Sequence, residues 1–241
     1  MKMARDMRRK EKRALKFGGP TYVPPSDTLY TPERKEPKPL RPMNDAQYDY
    51  IESIRTNVIT FALGPAGTGK TYIAAAIAAD MLVKGEIDKI IMTRPAVDAG
   101  RNWGALPGEL AEKYAPFMEP LVDVLNERLG KSHTDYLFKR GSIQAKPLEF
   151  MRGKTFSRCF YILDEAQNTT PSQMKLFATR IGEDCKVVID GDLAQKDING
   201  VSGLLDASHR LVDIPKIGMV VFTVDDCVRS GMVKAILRAY D

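Results

Sequence analysis

An apolar run, Val58 to Leu63 (VITFAL), leads directly into Gly64-Pro-Ala-Gly-Thr-Gly69-Lys70-Thr71, and an alanine-rich segment follows. The run is rich in β-branched residues and reads as a buried strand. The glycine-rich octet fits the phosphate-loop pattern G-x-x-x-x-G-K-[ST] in full. Beyond it, Ile73, Ile77 and Met81 recur at helical spacing, which predicts a helix with one buried stripe. A chain of this length meets the bare pattern by chance about once in a hundred times, and the flanking strand and helix lower those odds. A dinucleotide fingerprint does not fit, because Tyr72 stands where a third glycine would be needed.

The order of these features has a chemical reason. Glycines 64, 67 and 69 let the backbone bend so that successive N–H groups converge on a triphosphate, and the helix that starts there adds the positive end of its dipole. The expected nucleotide-binding set is Gly64, Pro65, Ala66, Gly67, Thr68, Gly69, Lys70, Thr71 and Tyr72. In it Lys70 reaches the β- and γ-phosphates, and the Thr71 hydroxyl ligates Mg²⁺.

A second apolar run, Cys159 to Leu163, ends in Asp164-Glu165. A carboxylate at the tip of a buried strand needs a partner. Mg²⁺ held by Thr71 and a triphosphate is one for Asp164, and Glu165, pointing differently, can polarise an attacking water. Two acids capping the next helix are the alternative that the local sequence leaves open. Further strands are expected at Lys89–Thr93, Ile143–Pro147, Lys186–Ile189 and Met219–Thr223. Helices are expected at Asn44–Ile54, Asp135–Arg140, Pro171–Ile181 and Val233–Tyr240, with Leu110–Leu129 helical but interrupted at Pro116 and Pro120. Strand and helix alternate, so the fold class is α/β, a mainly parallel sheet with helices on both faces. The extra strand between the two motifs, together with Glu165, suits a RecA-like P-loop NTPase, and no guanine-reading N-K-x-D is present. Gln195, at the edge following Lys186–Ile189, is placed to sense a γ-phosphate.

Composition sets outer limits. A hydrophobic content of 44% and a charged content of 28% describe an ordinary soluble globular chain. No apolar run approaches the ~18 residues that span a bilayer, so no membrane association is expected. The three cysteines and two histidines lack metal-ligand spacing, and the cysteine usage suits a reducing cytoplasm. The net charge of +5 is uneven: residues 1–19 hold eight Lys or Arg against two acids, and seven prolines follow between Pro20 and Pro42. Residues 1–43 thus read as a basic, Pro-rich, disordered tail, and 44–241 as one domain. The tail is either simply solvated or an arm that contacts nucleic-acid phosphates. Between the motifs, residues 96–107 read as a loop carrying Arg101, Asn102 and Trp103, the tryptophan either packing or stacking on a base.

These motifs together resemble the PhoH family of ATPases, which are similar to the core of superfamily 1 helicases. The resemblance rests on GPAGTGKT (64–71), TRPAVDAG (93–100), LPGEL (106–110) and MRGKTF (151–156), then ILDEAQNTTPSQMK (162–175), TRIG (179–182), GDLAQKD (191–197) and VRSGMVKAILRAY (228–240). It implies ATP and Mg²⁺ binding by Lys70, Thr71 and Asp164, hydrolysis through Glu165 and γ-phosphate sensing by Gln195. It further implies that Gln47 reads adenine, that Arg229 acts as an arginine finger or sensor, and that Arg94 lies near the phosphates or a nucleic-acid path. The chain departs from the family at Arg101-Asn-Trp-Gly-Ala-Leu106 and Asp226-Cys-Val-Arg229-Ser230, and with a basic tail where cellular members carry a larger N-terminal region it is expected to be a short form of the kind common in phage genomes.

One RecA-like domain completes such a site by borrowing a neighbour's arginine, so a cyclic homo-oligomer, a hexamer, is expected, with Arg229 the first candidate finger and Arg180 the second. The expected function is Mg-dependent ATP hydrolysis coupled to binding, translocation or unwinding of single-stranded RNA or DNA. The alternative is an ATP-dependent switch that recruits a protein partner.

Overall fold

A computed structural model describes residues 38–95, 110–151 and 155–240. The expectations for most of the basic tail, for Arg101, Asn102 and Trp103, for residues 106–109 and for residues 152–154 lie outside the described residues. All described residues fall in one compact unit, residues 33–241.

Six strands form one sheet: β1 (Ile59–Leu63), β2 (Lys89–Thr93), β3 (Ile143–Ala145), β4 (Cys159–Leu163), β5 (Lys186–Gly191) and β6 (Ile217–Val221). Their order is β3-β2-β4-β5-β1-β6, and every pairing is parallel. The α/β class read from the sequence is the observed one. Seven α-helices are described: α1 (Asp45–Thr56), α2 (Lys70–Lys84), α3 (Leu110–Leu129), α4 (Lys131–Arg140), α5 (Pro171–Ala178), α6 (Gly203–Leu211) and α7 (Gly231–Tyr240).

The core lies in two layers, one on each sheet face. Along β4, Phe160 and Ile162 turn to one layer and Tyr161 and Leu163 to the other, the period of two of a strand covered on both sides. The first layer packs Tyr50 of α1, Ile73 and Ile77 of α2 and Leu121 and Leu125 of α3. The second packs Met174 and Phe177 of α5 with Leu204 of α6. Helix α2 buries more than the predicted stripe: every residue from Ile73 to Ala79 is buried, because α1, α3 and the sheet enclose it. Its small alanines allow that close approach from several sides.

Helix α3 runs unbroken through Pro116 and Pro120, where the sequence predicts interruptions. An interior proline costs about 3 kcal/mol, and burial of Met118, Leu121, Val124, Leu125 and Leu129 offsets it. Helix α4 begins four residues earlier than predicted, and β6 two residues earlier. Helix α6 has no counterpart in the sequence reading. Asn44 caps α1, its side chain accepting the Gln47 N–H, and Thr170 caps α5 in a reciprocal capping box with Gln173.

The described end of the tail is attached to this body. Leu40 packs on the first core layer, and Arg128 donates to the Lys38 carbonyl at 2.7 Å while its other amino group meets Asp80.

Candidate nucleotide-binding site

The phosphate loop sits at the carboxyl end of β1, the edge where open α/β sheets take ligands. Gly64 leaves the strand with φ +136°, and a Cβ there would fall 2.2 Å from the Phe222 carbonyl oxygen. The segment after β6 therefore lies directly against the start of the loop, at a distance only glycine allows. Lys70, largely buried, donates from Nζ to the carbonyls of Gly64 and Pro65, each at 2.8 Å, and so spans the loop it closes. Tyr50 donates to the Lys70 carbonyl at 3.3 Å from beneath; burial, then the charges of Asp190 and Asp164, push its phenol well up, so it stays a neutral donor.

A cavity of about 340 Å³ opens above the loop. Ala66, Gly67, Gly69, Lys70, Thr71 and Tyr72 form one wall, and Asp164, Glu165, Asp190, Asp192, Gln195, Arg94 and Arg229 complete it. The larger groove of about 530 Å³ between α5 and α6 lies apart from all of these residues. Of the expected nucleotide-contacting residues, Gln47, Gly64, Pro65 and Thr68 are absent from the cavity wall. Gln47 is buried under the loop, donating to the Thr68 carbonyl at 2.9 Å and accepting the Met43 N–H at 2.9 Å. It holds the loop from below.

Strand β4 delivers the two acids in different directions. Asp164 continues the strand, and its Oδ1 accepts the Glu165 N–H at 3.0 Å. Glu165 then takes φ +54°, a left-handed conformation uncommon outside glycine, and this swings its carboxylate away from that of Asp164. Burial works to raise the Asp164 carboxyl, but its hydrogen bond with Asp190 and the adjoining Arg94 guanidinium outweigh it and hold it below the usual range. Asp190 moves the other way. Burial, then the charge and hydrogen bond of Asp164, push it well above its ordinary 3.8, against the pull of Lys70. The two carboxyls are thus driven in opposite directions by their shared surroundings.

Two connecting residues escaped the sequence reading. Gln167, almost fully buried, donates to Glu165 Oε2 at 2.6 Å and to the Gln195 carbonyl at 3.4 Å, and its Oε1 accepts the Asp192 N–H at 3.1 Å. It ties the β4 acid to the β5 turn that carries Gln195, whose own amide donates to Asp192 at 2.8 Å. Asp190 is the second. Its position at the end of an apolar strand was the available signal, the same one that marked Asp164.

Arg229 reaches the cavity from the same chain. The Val228 N–H donates to the Gly67 carbonyl at 2.9 Å, and a Cβ on Gly67 would meet the Arg229 Cδ at 2.9 Å. Arg180, the other candidate finger, sits past α5 beside the Phe156–Ile181 bridge and is absent from the cavity wall.

The donor set suits the ligands that the motif implies. Thr71 and Asp164 offer hard oxygen ligands to the cavity, and Asp190 Oδ2 is a buried oxygen without a hydrogen-bond partner beside them. Mg²⁺ typically takes only one or two carboxylates and completes its shell with phosphate and water. No group of three metal-ligating side chains occurs among the described residues, and none is required.

In the sheet β5 lies between the phosphate-loop strand β1 and the strand β4 that ends in Asp164 and Glu165, although in sequence β2 and β3 separate those two. A parallel sheet so ordered, with both motifs at one edge, defines a P-loop NTPase of RecA-like architecture. The chain belongs to the PhoH-like protein family, whose sequence model matches residues 39–241. It is 47% identical over 206 residues to a PhoH-like protein of Bacillus subtilis (strain 168), an alignment covering 85% of this chain and 65% of that protein. It is 43% identical over 212 residues to Protein PhoH of Escherichia coli (strain K12), covering 86% and 60%. The chain therefore spans less than two thirds of the length of these relatives. Among solved structures, the large terminase of the thermophilic bacteriophage D6E, in complex with ADP, aligns with a TM-score of 0.47 at 11% identity, over 82% of this chain and 50% of that one. Among the described residues no helix is long and apolar enough to cross a membrane.

Proposed function

We propose that the chain binds ATP with Mg²⁺ in the cavity above residues 64–72 and hydrolyses it. The observation that carries this reading is the convergence of Lys70, Thr71, Asp164, Glu165 and Gln195 on one cavity from three adjacent strand ends. Loop N–H groups and Lys70 bind and orient the phosphates, Lys70 exchanging the Gly64 and Pro65 carbonyls for β- and γ-oxygens. Thr71 and Asp164 hold Mg²⁺, which supplies charge neutralisation across the phosphates when bound. Glu165, exposed toward the cavity and anchored by Gln167, orients the water and takes its proton. Gln195 reports the γ-phosphate to the β5 turn. The adenine stacks beyond Tyr72, where Pro120 and Val124 supply an apolar wall. Gln47 acts on the nucleotide through the loop it supports.

Arg229 serves as a sensor in cis, since it lines the cavity of its own chain. A ring of six copies then depends on a different arginine, such as Arg180, or on contacts that complete no active site. The expected coupling is to single-stranded RNA or DNA, supported by the basic residues 1–19.

Hydrolysis by the full chain, alone and with single-stranded RNA, single-stranded DNA or duplex, tests this reading. Stimulation by one nucleic acid, weakening with salt and surviving deletion of residues 1–43, supports coupling through the body. Hydrolysis indifferent to every nucleic acid supports the protein-recruiting switch instead.

A further inference from the structure

Three residues stand in one row across the carboxyl edge of the sheet. Strand register pairs Thr93 with Leu163 and Leu163 with Ile189, so the next positions along are Arg94 on β2, Asp164 on β4 and Asp190 on β5. Pro95 restricts Arg94 to an extended backbone, which continues the strand and keeps the side chain in this row. The Asp164 N–H donates to the Thr93 carbonyl at 3.0 Å, so the ladder persists to the point where the side chains meet. There the Arg94 guanidinium donates to Asp164 Oδ2 and lies 3.9 Å from Glu165 Oε1.

The Asp164 oxygens are already committed. Oδ1 takes the Glu165 N–H, and Oδ2 takes Arg94. A divalent cation, or a water in its shell, needs the same carboxylate and carries the same sign of charge as the guanidinium. Asp164 is 7% exposed and Arg94 20%, so solvent screens neither the attraction nor the competition strongly.

Resting on the ATP reading above, we propose that Arg94 is an internal counter-cation for the metal carboxylate, and that Mg²⁺ engages Asp164 by displacing it. Arg94 is thus a positioning residue that sets how much Mg²⁺ the site requires. It keeps a buried carboxylate paired until metal and nucleotide arrive together. Once displaced, its guanidinium remains at the cavity wall beside Glu165 and the incoming γ-phosphate. Metal binding and the placement of a positive charge beside the phosphate become one event.

The experiment titrates Mg²⁺ against a fluorescent ATP analogue bound to the full chain after removal of divalent ions with EDTA. In parallel, Mn²⁺ binding without nucleotide is read by electron paramagnetic resonance. Arg94→Ala removes both the competitor and a like charge, and in the nucleotide-free Mn²⁺ arm both effects act in one direction. The Mg²⁺ midpoint should fall about tenfold, the scale of one charged hydrogen bond, and Mn²⁺ should bind correspondingly tighter. Arg94→Lys keeps the charge but loses the planar fork, so its midpoint should fall by less, between the two. If Arg94→Ala gives no folded protein, the shift in Arg94→Lys decides alone. An unchanged or raised midpoint in the folded variants overturns the proposal. A wild-type chain that binds no nucleotide counts against the ATP reading, while the Mn²⁺ arm still tests the exchange at Asp164.

Discussion

Gly67 and Arg229 come from opposite ends of the domain and meet at the apex of the phosphate loop. The Val228 N–H donates to the Gly67 carbonyl at 2.9 Å, and the Arg229 side chain covers the space that a Gly67 Cβ would enter. Asn44 adds a third tie, donating to the Asp226 carbonyl at 3.1 Å. The loop is thus held from below by α1 and from above by the segment leading to α7.

Gly67→Ala should therefore act on Arg229 as well as on the backbone. At φ +82° an alanine costs about 1–2 kcal/mol, and its methyl displaces Arg229. Nucleotide affinity should fall at least about tenfold, more than in Arg229→Ala alone. Equilibrium binding of the two variants checks the order.

Gln167→Ala should slow hydrolysis about tenfold to a hundredfold, the usual range for a residue that orients a catalytic group. The ties to Glu165, Asp192 and Gln195 go together, while Lys70 and the loop are untouched. Single-turnover rates should drop with little change in nucleotide affinity. An equal loss of affinity would place Gln167 in binding instead.

Stability should fall with rising pH on account of Asp190. Its folded carboxyl titrates well above the 3.8 of the unfolded chain, because of burial and then the Asp164 charge. The folded state thus binds the extra proton, and its contribution is fully present below 3.8 and lost as pH rises through the folded value. Asp190→Asn keeps a donor toward Asp164 and removes this titration. Denaturant unfolding of divalent-free protein across about pH 5–8 should show a flatter profile in the variant.

Thr170→Ala removes a capping box at the start of α5, and Thr170 is absent from the cavity wall. A loss of about 1 kcal/mol in urea unfolding is expected, with unchanged nucleotide affinity.

The strands and the motif residues were legible because each depends on local sequence. VITFAL before the loop and CFYIL before Asp164-Glu165 announce buried strands that end in chemistry. Lys70, Thr71, Asp164, Glu165, Gln195 and Arg229 all line one cavity, as their motifs imply. What stayed hidden depends on tertiary placement. Helix α3 passes through two prolines because α2 packs along it, a gain that no local rule records. Helix α6 follows a polar stretch, yet Ser202 capping Leu204 and the spacing of Leu204, Ala207 and Leu211 carried a usable signal. Cys159 and Cys185 are far apart in sequence, but adjoining strand starts bring their sulfurs to 3.8 Å as free thiols. Gln47 was read toward adenine, whereas both ends of its carboxamide hold backbone groups around the loop.

The most direct test of the central claim compares phosphate release from ATP by the full chain and by Glu165→Gln, with Mg²⁺ present and nucleotide affinity measured beside it. The account predicts that Glu165→Gln binds ATP about as tightly as the unaltered chain but hydrolyses it about 10²–10⁴-fold more slowly. Hydrolysis by Glu165→Gln at the unaltered rate, or no hydrolysis by either protein, would contradict it.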